Sequence, residues 1–369
     1  MVPESDERGA TGETGGVPLE LSWFAPSCSG DTARLGVADP DRRATFAYNR
    51  HVIGLVDALG FQNVLIPSSY MPGMDPWTLA SALGPMTTST RLLPAVRVGE
   101  FDPPMFARAA KGLQSIMDGR LTVNIISSEL AGETLSSEDR YARTAEAMAL
   151  LRAFWTADHV RHEGRWWDYD LPTGPTRTRM PPPMYFGGTS EPAKAVAAEH
   201  ADCYLMWVEG VASIGALVED LRGRAAAHGR TLAFGLRTHV IVRATEAEAR
   251  RAAAELVSEL DPEVGRRLKE ASHDHASVGV QRQDALRAAA GDDGFAEEHL
   301  WTGIGVARSG VGAAIVGDPD QVEAKLRAYQ ALGIDSFILS GYPLDDEAQR
   351  FADLVLPRFA DELGPLPFP

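Results

Sequence analysis

Two residues of the run Phe234–Arg243, Phe-Gly-Leu-Arg-Thr-His-Val-Ile-Val-Arg, are the first candidates for chemistry: Arg237 and His239. The apolar and β-branched residues around them predict a strand, and a spacing of two sends both side chains to one face. A guanidinium and an imidazole side by side in a sheet are costly unless something anionic pairs with them. Local carboxylates at a core rim would serve, and so would a bound anion. Three more residues stand where they could join the pair. Trp207 ends the apolar run Cys203–Trp207, Tyr342 lies in Leu339-Ser-Gly-Tyr-Pro343, and Arg308 lies in the Gly-rich stretch 300–310. A Trp or Tyr at a strand end is ordinary packing when taken singly. Together, two guanidiniums, an imidazole, a phenol and an indole N–H suit a small oxyanion with an organic tail.

A second constellation is Gly187-Gly188-Thr189-Ser190, between a short apolar run and a helical pattern. It offers backbone N–H groups, two hydroxyls and a helix N-terminus, the chemistry of a phosphate site. Gly-Gly turns also simply connect elements. Ser127, Ser128, Arg140 and Tyr141 could reach the same ligand, although a solvated helix start explains the last two equally well. There is no P-loop, no Rossmann glycine fingerprint and no cluster of carboxylates or His/Cys ligands, so neither a metal nor a Rossmann-bound nicotinamide is expected. Cys28 and Cys203 show no metal-ligand spacing.

Short apolar runs alternate with helical patterns along the chain. Strands are predicted at 19–24, 63–66, 92–96, 121–126, 184–186, 203–207, 234–243 and 336–340, with helices between them and a last helix from about Asp345 to Leu363. Eight such units predict an α/β fold, a (β/α)8 TIM barrel, spanning 19–369 as one domain. In that fold the chemistry sits at the C-terminal ends of the strands, where the residues named above fall. The segment of about 245–310, after the seventh strand, is expected to be a lid over the mouth; a surface excursion or dimer contact is the plainer alternative. Residues 1–18 are Gly-, Glu- and Ser-rich without a signal-peptide core, which predicts a disordered leader on a cytoplasmic protein. The net charge of −16 argues against nucleic acid or an anionic membrane as partner. An anionic substrate then needs a locally basic site.

Tyr185-Phe-Gly-Gly-Thr-Ser190, Tyr204-Leu-Met-Trp207, Phe234–Arg243 and Ile338-Leu-Ser-Gly-Tyr-Pro343 together resemble the bacterial alkanesulfonate monooxygenases of the luciferase-like flavin monooxygenase group. Similarity runs from about Leu21 to the C-terminus and includes Asp118-Gly119-Arg120 and Arg140-Tyr141. The resemblance implies a TIM barrel using FMNH2 from a separate NAD(P)H-dependent flavin reductase, with O2 as co-substrate. The implied reaction cleaves the C–S bond of an organosulfonate to give an aldehyde and sulfite. By the same resemblance Arg237, His239, Trp207 and Tyr342 hold the sulfonate, and Arg308 helps the lid close. Ser127, Tyr141, Gly187, Gly188, Thr189 and Ser190 take the FMN. A homodimer or homotetramer is implied as well.

Two positions depart from that family. Its cysteine in the loop after the second strand is missing from Ser68–Asp75, and its histidine two residues after the last strand's tyrosine is Leu344 here. These differences point toward another organosulfonate, such as a sulfonated sugar, with Tyr70, Met71 and Met74 along one wall. They also leave room for a luciferase-like monooxygenase on a sulfone or natural-product intermediate. An F420-dependent oxidoreductase would share the architecture but not the Arg237/His239 strand. His239 could be an acid/base or a binding group. Binding is the better expectation, because Arg237 should depress its pKa.

Overall fold

The computed structural model describes residues 17–28, 30–69, 73–130, 132–270, 277–308 and 310–368. Most of the expected leader, and Tyr70 and Met71 of the expected pocket wall, lie outside them. Eight parallel strands form a closed ring: β1 Glu20–Phe24, β2 Asn63–Ile66, β3 Arg91–Arg97, β4 Val123–Ile126, β5 Met184–Gly187, β6 Cys203–Trp207, β7 Ala233–Val242 and β8 Ser336–Ser340. Each pairs with the next, and β8 returns to β1. The TIM barrel predicted from the alternating pattern is the observed fold.

The outer layer begins with α1 Phe46–Leu59, α2 Pro76–Leu83, α3 Pro103–Ile116, α4 Ser137–Thr156, α5 Glu191–His200 and α6 Val211–Ala227. It continues with α7 Glu246–Val257, α8 Pro262–Glu270, α9 Val278–Ala288, α10 Pro319–Gln330 and α11 Leu344–Leu354. Local chemistry sets the helix ends. Thr45 accepts from Tyr48 N at the start of α1, and Gly60 closes that helix at φ 88°, a conformation that glycine adopts without strain. The last helix stops at Leu354 rather than Leu363, because Pro357 follows in a 3-10 turn, Leu356–Phe359, and proline has no N–H for a helix to use.

Alternation along the strands divides two packed regions. Leu236, Val240 and Val242 of β7 pack in the large layer between barrel and helices. Leu65, Leu93, Tyr185, Cys203, Ile338 and Leu366 form a separate cluster, with Phe24, Leu205 and Ala233 packed against it. Residues 235, 237, 239 and 241 thus share the inward face of β7.

One feature was not predicted. β7 is ten residues long, more than its barrel neighbours can pair. Its last four residues, His239 to Val242, pair in parallel with a satellite strand, Ala314–Gly317, which pairs in turn with Leu300–Trp301. The Gly-rich stretch read as lid therefore begins inside the sheet and passes through a 3-10 turn, Gly303–Val306, before Arg308. Among the described residues no helix is long and apolar enough to cross a membrane.

Candidate active site

Arg237 is 7% exposed, and its partners are all neutral. The guanidinium donates to Thr238 O, to Ile338 O at 3.4 Å and to Ser340 Oγ at 2.7 Å, and lies 4.5 Å from the Phe24 ring centroid. Among the described residues no carboxylate pairs with it. Burial pushes its pKa down to about 9, the nearby Tyr342 opposes that shift, and Arg308 adds to it. The reading of two rim residues tied up by local carboxylates is therefore not what the fold contains.

His239, 5% exposed, stacks on Tyr342 with ring centroids 5.3 Å apart at 25°. Its Nδ1 lies 2.7 Å from Ser340 Oγ, so the Ser340 hydroxyl accepts from Arg237 and can donate to a neutral His239. Burial holds the imidazole well below its ordinary pKa, with Arg237 and then Arg308 adding to the effect, while a backbone hydrogen bond to Val311 opposes it. The expected depression by Arg237 is present, but burial is the larger cause. A neutral ring with both sides engaged orients its neighbours. Arg308 reaches the same group, donating from Nε to Tyr342 Oη at 2.6 Å. Trp207 stands opposite Arg237 in register, and α9 lies on it so closely that a Cβ at Gly279 would come 3.0 Å from the indole. The structure thus brings Arg237, His239, Arg308 and Tyr342 into contact through shared hydrogen bonds and ring stacking, with Trp207 beside them.

Three residues escaped the sequence reading. Ser340 joins Arg237 to His239, and only its register opposite His239 could have signalled it. Arg97 ends β3 and ties three loops together: Nε donates to Ser128 Oγ at 2.8 Å, and Nη1 to Ser68 Oγ at 3.3 Å and Glu100 Oε1 at 2.7 Å. Asp31, in the loop after β1, accepts from Tyr48 Oη at 2.7 Å and from Leu344 N at 2.5 Å. The missing cysteine also gains an explanation. The loop after β2 carries none, but Cys28 from the loop after β1 donates to Pro67 O at 3.3 Å and bridges to Gly73. Burial raises its thiol pKa, against the influence of Ser27, Arg308 and Arg97. Met74, expected on a pocket wall, packs against the layer between barrel and helices.

The turn after β5 has the shape a phosphate needs. Gly188 has φ +139°, and a Cβ there would fall 2.7 Å from Ala193 Cβ and 3.3 Å from Tyr141 Oη. Tyr204 Oη donates to Gly188 O at 2.7 Å, and Ser190 caps α5 by accepting from Ala193 N. Thr189 Oγ1 is buried with no hydrogen-bond partner, an arrangement that costs about 1–3 kcal/mol unless a ligand supplies one. These residues fit an FMN phosphate. Ser127 is less available, since its hydroxyl bonds Thr144 Oγ1 at 2.8 Å and its carbonyl accepts from Arg140. Among the described residues no group of His, Cys, Asp and Glu could hold a metal. Gly188→Ala is expected to weaken FMN binding at least tenfold, roughly 1.4 kcal/mol, with unchanged far-UV circular dichroism. Flavin fluorescence titration measures this, and unaltered affinity would remove the turn from the site.

A barrel with a buried arginine and histidine at the mouth end of β7 and a glycine turn after β5 defines a class, and the family model described as luciferase-like monooxygenase matches residues 19–336. The chain belongs to that family. Within it, the chain is 46% identical over 356 residues to a sulfoquinovose monooxygenase of Novosphingobium aromaticivorans, covering 94% of this chain and 98% of the relative. A sulfoquinovose monooxygenase of Agrobacterium fabrum is 43% identical, with 92% and 89% covered. Among solved structures, a riboflavin lyase with modified FMN and riboflavin shares the fold at TM-score 0.77 and 18% identity, covering 94% of this chain and 93% of that one.

Proposed function

We propose that this chain is the oxygenase of a two-component system that cleaves the C–S bond of a sulfonated sugar, giving a sugar aldehyde and sulfite. The observation that carries the proposal is Arg237, a buried guanidinium with no carboxylate partner among the described residues. A sulfonate stays ionised at any working pH and accepts two parallel N–H bonds from a guanidinium. The two sulfoquinovose monooxygenases, similar over nearly the whole chain, support a sulfosugar rather than a simple alkanesulfonate.

FMN, reduced by a separate NAD(P)H-dependent reductase in the cytoplasm, would supply the electrons that activate O2. Thr189, Ser190 and the glycines 187 and 188 would hold its phosphate, with Tyr141 beside it. The reaction balances when one oxygen atom ends in the aldehyde and the other in water. The carbon loses a proton, and sulfite leaves with the C–S electron pair. Arg237 and Arg308 bind the sulfonate, Tyr342 links Arg308 to the stacked His239, and Trp207 walls the pocket. His239 serves as a neutral orienting group. The segment from 245 to 310 keeps water from the reacting atoms. Met105 and Ile116 on α3, each more than 60% exposed, fit a contact within a homodimer or homotetramer.

The experiment is sulfite release in air with FMN, NADH and an unrelated flavin reductase. Sulfoquinovose would be set against methyl to octyl sulfonates and taurine. Sulfite is expected from the sulfosugar with kcat/KM at least a hundredfold above any alkyl chain. Equal rates would withdraw the sugar specificity, and no sulfite from any sulfonate would overturn the proposal.

A further inference from the structure

Ser340 closes β8 at its C-terminal end, is 1% exposed, and makes two short side-chain hydrogen bonds. Its Oγ lies 2.7 Å from Arg237 Nη2 and 2.7 Å from His239 Nδ1. The partners fix the direction of each bond. A guanidinium can only donate, so the hydroxyl oxygen accepts from Arg237, and its one proton goes to Nδ1 of the neutral imidazole. The ring's own proton is then on Nε2. The Val311 backbone makes a bond that raises the imidazole pKa, which is the sign of a ring that donates. Donation therefore runs one way, from Arg237 through Ser340 and His239 to Val311. No member can turn without leaving a buried group unpaired.

That chain decides which edge of the guanidinium is open. Nη1 donates to Thr238 O and to Ile338 O, and Nη2 gives one proton to Ser340. Ile338 and Ser340 both belong to β8, so the tip of the fork lies against that strand. Cζ sits over the Phe24 ring, 4.5 Å from its centroid, which closes another side. What remains is the side edge, Nε–H with the second Nη2 proton, and neither has a partner among the described residues. Two parallel N–H groups on neighbouring nitrogens match two oxygens of a sulfonate. A spherical anion such as chloride gains nothing from their alignment.

We infer that Ser340 is a positioning residue for sulfonate recognition: its hydroxyl, held by His239, pins the tip of the Arg237 fork and presents the Nε/Nη2 edge to the anion. It touches no reacting atom itself. The inference rests on the proposed sulfonate chemistry, although the edge can be tested without turnover.

The test is calorimetric titration of the full chain with methanesulfonate, with chloride as competitor and no flavin or reductase added. Wild type, Ser340→Ala and Ser340→Cys are compared. Cysteine fills the serine's place, but its sulfur accepts and donates weakly. In both variants methanesulfonate affinity is expected to fall about thirtyfold, as for a lost hydrogen bond to a charged group, while chloride affinity stays within about twofold of wild type. A packing role predicts another pattern, with Ser340→Cys like wild type and both anions weakened together in Ser340→Ala. That pattern, or no methanesulfonate binding by the wild type, would overturn the assignment. Sulfite release from the sulfosugar, assayed on the same preparations, judges the functional reading separately. Release with unchanged anion binding in both variants removes only the positioning role. The expected binding pattern without release from any sulfonate removes only the desulfonation.

Discussion

Arg237→Met is expected to lower kcat/KM for sulfite release by about a thousandfold and to make the protein more stable. Both effects come from one observation. The guanidinium is buried, its pKa is pushed down to about 9 by that burial, and its hydrogen bonds go to carbonyls and a hydroxyl rather than a carboxylate. In the free protein the charge is desolvated without an opposite charge beside it, and replacing a buried ion with an apolar residue is commonly stabilising by about 1–4 kcal/mol. Methionine fills the same slot and can rest on the Phe24 ring. In the complex the account reverses. Removing one partner of a buried, hydrogen-bonded charge pair costs about 3–5 kcal/mol, which is roughly two to three and a half powers of ten in rate. Scanning calorimetry with and without sulfite reads both halves. The melting temperature of the variant should exceed that of the wild type by several degrees, and sulfite should raise only the wild type's. A variant less stable than the wild type, with sulfite protecting both equally, would mean that Arg237 is a structural cation and not an anion receptor.

The pairing of Arg237 with His239 on one face was visible in the sequence because strand periodicity is strict. Arg237 and His239 had to share a face once Phe234–Arg243 was a strand, and Trp207 and Tyr342 had to stand at the C-terminal ends of neighbouring strands. The turn 187–190 was legible for a similar reason, since two glycines and two hydroxyls between a strand and a helix make a pattern. Ser340 was not, because a serine on a strand is chemically anonymous until pairing puts it opposite His239. Arg97 and Asp31 lie on the β3 end and the β1 loop, and their partners come from loops or helices distant in sequence, which no local pattern predicts. Cys28 shows the limit most directly. The sequence says only that the β2 loop lacks a cysteine, and the fold supplies one to that loop from its neighbour. The satellite strand Ala314–Gly317 was missed because four residues of Ala-Ile-Val-Gly carry too little periodicity to separate strand from buried turn.

Asp31→Asn is expected to remove a loss of stability that the wild type suffers between about pH 4 and pH 7. Asp31 is 7% exposed. Burial raises its pKa from 3.8 to about 6, and Asp345 adds a small push in the same direction, against the hydrogen bonds from Leu344 N, Tyr48 and Thr32 N. A carboxyl whose folded pKa lies above its unfolded value binds its proton more tightly when folded. Its stabilising contribution is therefore complete below about pH 4 and lost as pH rises through 6. A shift of about two units corresponds to at most roughly 3 kcal/mol. The asparagine carbonyl can keep the bond from Leu344 N without titrating. The measured quantity is the wild-type minus variant unfolding free energy in denaturant, which should fall steadily from pH 4 to 7, whereas carboxylates common to both proteins cancel. The same charge acts on the site, because Asp31 stabilises the guanidinium form of Arg308 and its bond to Leu344 fixes the chain two residues after Tyr342. As Asp31 ionises it competes with the sulfonate for Arg308, so the wild-type KM should rise between pH 5 and 7 and that of the variant should stay level. A free-energy difference independent of pH would mean that Asp31 is charged throughout, and its role would then reduce to pinning the β8 loop.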